Sequence, residues 1–141
     1  MGWLSFAALA AVSFGFYNFF TKLSADKMSP VIALLFITGS AFLVALVGLL
    51  VMKVSGQELI FSKQKILWPI LAGVSTGFAE IFYLFMFANK APLAIANPIV
   101  VGGTIIVAVI LGTLLLKEHI NWVQATGLLF TLIGIIILTK G

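Results

Sequence analysis

One carboxyl group of this 141-residue chain lies deep inside an apolar stretch, where it is well placed to do chemistry. Glu80 is the only charged residue in the run from Ile66 to Ala88. An acid at the centre of a membrane-spanning helix costs about 2.5 to 3.5 kcal/mol on insertion scales, so such residues are mostly retained for a function. A low dielectric disfavours the charged form and brings proton exchange closer to neutral pH. Glu80 is therefore predicted to bind protons or a cationic substrate.

Two polar neighbours of Glu80 share its face of a helix. Thr76 precedes it by four residues and Tyr83 follows it by three, which are helical spacings. Lipid disfavours a polar stripe, so this face is predicted to point into a helix bundle. A second interpretation stays open, in which a protonated Glu80 only holds helices together through a hydrogen bond to Tyr83, Asn18 or a backbone carbonyl.

Further polar residues lie in the first and fourth apolar runs. Pro98 follows Asn97 and can free a backbone carbonyl near a cavity, although the same dipeptide also marks helix starts. Asn18 is close enough to the end of its run to be interfacial instead. The predicted substrate- or proton-binding residues are Ser13, Tyr17, Asn18, Thr76, Glu80, Tyr83, Asn97 and Pro98.

Enzyme and metal motifs are missing from the sequence. It has no glycine-rich phosphate loop, no HExxH motif and no cysteine, and its single histidine, His119, lies in a short polar loop. The chain is therefore predicted to be no enzyme and to need no cofactor or metal.

Composition identifies the solvent of this chain as a lipid bilayer. Hydrophobic residues make up 62% of the sequence and charged residues 9%, against roughly 25% charge in soluble domains. The predicted fold is an all-α polytopic membrane protein, one domain over 1–141 with five transmembrane helices. Ser29-Pro30 is predicted to start the second helix, and a turn over 55–58 is predicted to follow it. The predicted helices cover approximately 3–20, 31–52, 66–88, 93–116 and 120–138.

The lysines are divided evenly between the two sides of the membrane. Five crossings place four lysines at one side, Lys53, Lys63, Lys65 and Lys117, and four at the other, Lys22, Lys27, Lys90 and Lys140. The positive-inside rule then favours neither orientation. Two oppositely oriented copies would form an antiparallel homodimer, an inverted repeat built from one polypeptide. Alternatively, a partner chain, the N-terminal amine or slightly different helix ends set one orientation. Scattered lysines without arginine do not indicate nucleic-acid binding.

The end of the chain carries a recognisable pattern. An apolar helix ends in Glu118, a short turn follows, and the last helix contains Gly127 and Gly134. With Gly15-Phe-Tyr-Asn18 in the first helix and Pro98 near the start of the fourth, this resembles the EamA-like domain of the drug/metabolite transporter superfamily. Lys117 stands where that family commonly has glycine, and the family shares no intramembrane acid at the position of Glu80.

The resemblance implies secondary transport of small metabolites or drug-like solutes by alternating access. It also implies a central cavity lined by the first, third and fourth helices of each half. The family usually carries two inverted five-helix repeats in one chain, so a single repeat fits one half of a dimer in the inner membrane of a prokaryotic cell. The alternative is an assembly subunit that transports nothing, or one half of a heteromeric transporter.

Overall fold

Five long apolar helices make up the computed structural model, which describes residues 2–140. Each is long and apolar enough to cross a hydrocarbon core about 30 Å thick. The described residues contain no strand, so the prediction of an all-α chain with five spans is confirmed. Met1 and Gly141, the ends of the predicted domain, lie outside the described residues. The helices are α1 (Trp3–Ala25), α2 (Pro30–Val54), α3 (Leu67–Ala88), α4 (Leu93–Leu114) and α5 (Trp122–Lys140), and a short 3-10 turn (Lys63–Lys65) precedes α3.

The second helix begins and ends as local sequence dictates. Pro30 is its first residue and Ser29 its extended N-cap, although the Ser29 side chain makes no capping hydrogen bond. At the other end Gly56 adopts a φ of 69°, a backbone conformation that residues other than glycine rarely adopt. The Gln57 amide donates to the Met52 carbonyl at 3.1 Å, closing a Schellman turn within the predicted 55–58 loop.

Other helix ends differ from the sequence-based limits. The first helix runs five residues beyond 20, to Ala25, because polar Thr21 is buried in its last turns, at 2% exposure. The fifth starts at Trp122 rather than 120 because Asn121 and Gln124 form a capping box. The Asn121 amide donates to Gln124 Oε1 at 2.9 Å, and the Gln124 amide donates to Asn121 Oδ1 at 2.8 Å.

Residues 2–90 form one compact unit, in which α3 packs on both α1 and α2. Its buried residues cluster where the C-terminal halves of α1 and α3 meet the first turns of α2, as Ala25, Ala33 and Leu84 illustrate. Large apolar side chains elsewhere on these helices are exposed. The protein core of this unit therefore occupies one end of the helices.

An ionic cluster joins the C-terminal ends of α1 and α3. Asp26 Oδ1 lies 3.5 Å from Lys22 Nζ and 3.7 Å from Lys90 Nζ, and Lys22 Nζ sits 5.4 Å from the centre of the Phe87 ring. Lys90 reaches Asp26 from a left-handed backbone conformation with a φ of 67°. Because Asp26 directly follows α1 and Lys90 lies two residues beyond the end of α3, the two helices end on the same side.

Residues 91–140 form a second unit, the hairpin of α4 and α5. Gly102 allows the helices to approach closely, since a Cβ at that position would lie 2.7 Å from Ile135 Cδ1. At the end of α4 a Cβ on Gly112 would lie 2.8 Å from Glu118 Oε2. The Glu118 amide donates to the Gly112 carbonyl at 3.0 Å after Lys117, whose φ is 56°. This backbone conformation explains why glycine suits the position of Lys117.

The close contact at Gly102 predicts a measurable loss of stability. Gly102→Leu would force Ile135 aside, and overpacking of this kind costs about 1 to 3 kcal/mol. Gly103→Leu is the matched control, because a Cβ there meets nothing within 4 Å and both changes gain the same helix propensity. Thermal unfolding followed by circular dichroism in detergent should show a lower midpoint for the Gly102 variant. Equal midpoints would contradict the packing described.

Candidate functional site

Glu80 lies well inside the membrane-spanning part of α3. It precedes Ala88, the last residue of the helix, by a little over two turns, which is roughly 12 Å along the axis. Its Oε2 atom is buried and has no hydrogen-bond partner among the described residues. This oxygen therefore gives no support to the interpretation that Glu80 only holds helices together through a hydrogen bond. An unpaired buried polar atom needs another explanation, such as a bound ligand.

Tyr17 on α1 matches Glu80 in depth. It precedes Ala25, the last residue of α1, by the same number of turns. Because Asp26 and Lys90 join the two helix ends and α1 packs on α3, Tyr17 and Glu80 lie at about the same level. The Tyr17 hydroxyl is also buried without a hydrogen-bond partner in the described part of the chain. The two polar atoms therefore do not satisfy each other, and each is available to a third group.

Aromatic rings accompany the polar atoms on both helices. The Tyr83 ring, one turn beyond Glu80, is buried and packs edge to face on Phe87, with 4.7 Å between ring centres. On α1 the Phe14 and Tyr17 rings are also perpendicular, at 6.3 Å. Such rings present negative faces to a cation and apolar surface to the rest of a ligand.

The remaining predicted residues of the first unit divide into two groups. Asn18 is half-buried, next to Tyr17. Ser13 and Thr76 are exposed, and each hydroxyl donates to a carbonyl of its own helix at 2.9 Å, those of Leu9 and Ala72. The buried part of α3 begins beyond Thr76. The Thr76 hydroxyl is therefore exposed, although Thr76 lies four residues before Glu80 on the same face of the helix. A binding role for Ser13 and Thr76 stays a prediction.

Asn97 and Pro98 lie in the second unit, where both are half-buried. The helix begins at Leu93, so the dipeptide is inside α4 rather than at its start, and Pro98 interrupts the early turns. Proline has no N–H, so the helical hydrogen bond to the Ala94 carbonyl is missing. Of the two sequence interpretations, the structure therefore favours the one that frees a backbone carbonyl.

Sequence reasoning missed two features of the first unit. The ionic cluster around Asp26 was not predicted, although the spacing of four residues between Lys22 and Asp26 was a signal for one half of it. The partner on α3, Lys90, could be found only from tertiary structure. The shared depth of Tyr17 and Glu80 depends on the same contact, and no pattern within either helix indicates it.

Comparison with known proteins assigns the family. The model of the EamA-like transporter family matches residues 1–140, nearly the whole chain. No curated protein and no solved structure matches the chain. The family match confirms the resemblance drawn from the closing helices and the first helix, and it supports a role in transport within a membrane. By this match and its five apolar spans, the chain belongs to the EamA-like transporter family.

Proposed function

We propose that this protein is a secondary transporter of small metabolites or drug-like solutes, works by alternating access and is coupled to protons through Glu80. The observation that carries the proposal is the buried Glu80 Oε2 atom, which lacks a hydrogen-bond partner within the described residues, on a residue at the level of Tyr17. Membership of a transporter family supports the class of function. The proposed location is the inner membrane of a prokaryotic cell.

Proton coupling follows from the chemistry of an isolated acid in an apolar surrounding. A carboxylate in this position needs a compensating cation, whereas a carboxylic acid does not. Binding of a substrate that stabilises the carboxylate therefore favours release of the proton, and loss of the substrate favours its return. Exchange of this kind on alternate sides of the membrane lets a proton gradient drive the solute.

The proposed assembly is an antiparallel homodimer. Many alternating-access transporters are built from two halves related by inversion, and this chain supplies one five-helix half. The lysines at the two sides number four and four, so the positive-inside rule allows both orientations of the same chain. Asp26 pairs with Lys22 and Lys90, but acids contribute little to the orientation rule, so the balance is kept.

Cysteine labelling tests the two orientations directly, because the natural chain has no cysteine. Ser62→Cys marks the loop between α2 and α3, and Met28→Cys marks the loop between α1 and α2; both positions are exposed. In intact cells a membrane-impermeant maleimide should label about half of each variant, since neither side is favoured.

Permeabilised cells provide the control, because both positions should then label completely. Complete labelling at one position and none at the other in intact cells would refute the antiparallel homodimer. That result would favour the heteromeric alternative, in which a partner chain supplies the opposite orientation.

A further inference from the structure

The two unpartnered atoms in the first unit differ in chemistry, and the difference restricts what can satisfy both. Glu80 Oε2 accepts hydrogen bonds when the carboxylate is ionised, and the Tyr17 hydroxyl can donate or accept. Both atoms are buried without a protein partner in residues 2–140, and their residues lie at about the same level of the packed helices α1 and α3. A ligand that satisfies both therefore offers two hydrogen-bond donors close together, or a donor beside an acceptor.

Charge restricts the ligand further. The ionic cluster of the first unit lies at the ends of α1 and α3, where the Asp26 carboxylate contacts both Lys22 and Lys90. The charge at the end of α2, Lys53, lies on the opposite side. No cation of the first unit's spans lies at the depth of Glu80, so the ligand itself must supply the positive charge that an ionised Glu80 requires.

Aromatic rings alone would not distinguish one organic cation from another. The rings of Phe14 and Tyr17 on α1, and of Tyr83 and Phe87 on α3, would attract a quaternary ammonium ion as well as a protonated amine. A quaternary ion, however, has no N–H group, and it would leave both polar atoms unsatisfied. Buried groups left unpaired strongly disfavour such a ligand.

We propose that the substrate head bound between Tyr17 and Glu80 is a primary or secondary ammonium ion, whose N–H groups donate to the Glu80 carboxylate and to the Tyr17 hydroxyl oxygen. The apolar remainder of the substrate lies against the aromatic rings. The inference rests on the proposed function and deepens it, because it names the chemical class that exchanges with the proton. Solutes without a cationic nitrogen are excluded as ligands of this atom pair.

Matched pairs of amines test the substrate class. Butylamine and phenethylamine are each compared with their N,N,N-trimethyl analogues, which keep the charge and the hydrocarbon but carry no N–H group. Binding to the purified, full-length protein in detergent is measured by calorimetry. The primary amine should bind about tenfold or more tightly than its trimethyl analogue, the range expected for hydrogen bonds to charged groups.

Two variants connect this preference to the proposed atoms. Tyr17→Phe should reduce the preference for the primary amine while the trimethyl analogue binds as before, which also shows that the variant is folded. Glu80→Gln should remove binding of both ions. Ser40→Ala is the control, because its hydroxyl on α2 is exposed and donates to the Ile37 carbonyl, and its affinities should match those of the natural chain.

The outcomes separate this inference from the function on which it rests. Equal or tighter binding of the trimethyl analogues by the natural chain would overturn the ammonium assignment. So would a primary-amine preference that survives Tyr17→Phe. If neither class binds while other solutes are still taken up in a Glu80-dependent manner, the ammonium assignment fails and the proposed function stands. If no solute is driven by a pH gradient, the proposed function itself fails.

Discussion

Replacing Glu80 with glutamine is expected to reduce solute uptake driven by a pH gradient to the level of vesicles without protein. Glutamine keeps the size of the side chain but can neither release a proton nor supply a negative charge. A pH gradient then has no group on which to act at this depth of the helix. Uptake of a panel of labelled solutes into proteoliposomes, with and without an imposed pH gradient, measures the effect.

The same substitution at another acid provides the control. Glu58 lies in the exposed loop between α2 and α3, so Glu58→Gln should leave uptake unchanged. The fold of the Glu80 variant is checked by its thermal unfolding in detergent. We expect a midpoint at or above that of the natural chain in alkaline buffer, because a neutral amide is less costly to bury than a carboxylate. Undiminished pH-driven uptake by a folded Glu80→Gln protein would refute proton coupling through this residue.

Removing two lysines from one side is expected to lock the chain into a single orientation. Lys63→Gln with Lys65→Gln leaves that side with fewer lysines than the other, and Lys27→Gln with Lys140→Gln creates the opposite bias. These four lysines make no ion pair within the described residues, unlike Lys22 and Lys90, so their loss should not disturb the cluster around Asp26. The structure thereby identifies which lysines can be changed without breaking an ion pair among the described residues.

Cysteine labelling would report the shift. With the Ser62→Cys marker, labelling in intact cells should move from about half to nearly none in one variant and nearly all in the other. Each locked variant expressed alone should lose pH-driven uptake, since it lacks an inverted partner. A labelled fraction that stays unchanged in both variants would show that features other than lysines set the orientation.

Much of the fold could be predicted because it depends on local signals. Apolar runs about as long as the bilayer is thick predict the five spans, and Ser29-Pro30 predicts the start of α2. The left-handed conformation of Gly56 is typical of the turn predicted there. Two of the ends that differed, at Ala25 and Trp122, depend on burial of Thr21 and on a capping box, which hydropathy does not register.

The candidate site was harder to predict because it depends on contacts between helices. Glu80 was evident as a lone acid in an apolar run, and its spacing to Tyr83 indicated a shared face. The same reasoning placed Thr76 with them, whereas the structure leaves that hydroxyl exposed and bonded to the Ala72 carbonyl. Helical periodicity specifies a face but not how far along the helix that face is buried. Tyr17 was among the predicted residues, but its position at the level of Glu80 emerged only from the joined ends of α1 and α3.

Co-expression of the two orientation-locked variants tests the central claim, that one chain forms the transporter by pairing with an inverted copy of itself. The measurement is pH-driven uptake into membrane vesicles prepared from the expressing cells, for a solute that the natural chain transports. We predict background uptake for each variant alone and restored uptake when both are present. Full uptake by either locked variant alone would contradict this claim. So would a lack of uptake by vesicles that contain both variants, in the same amount as the natural chain.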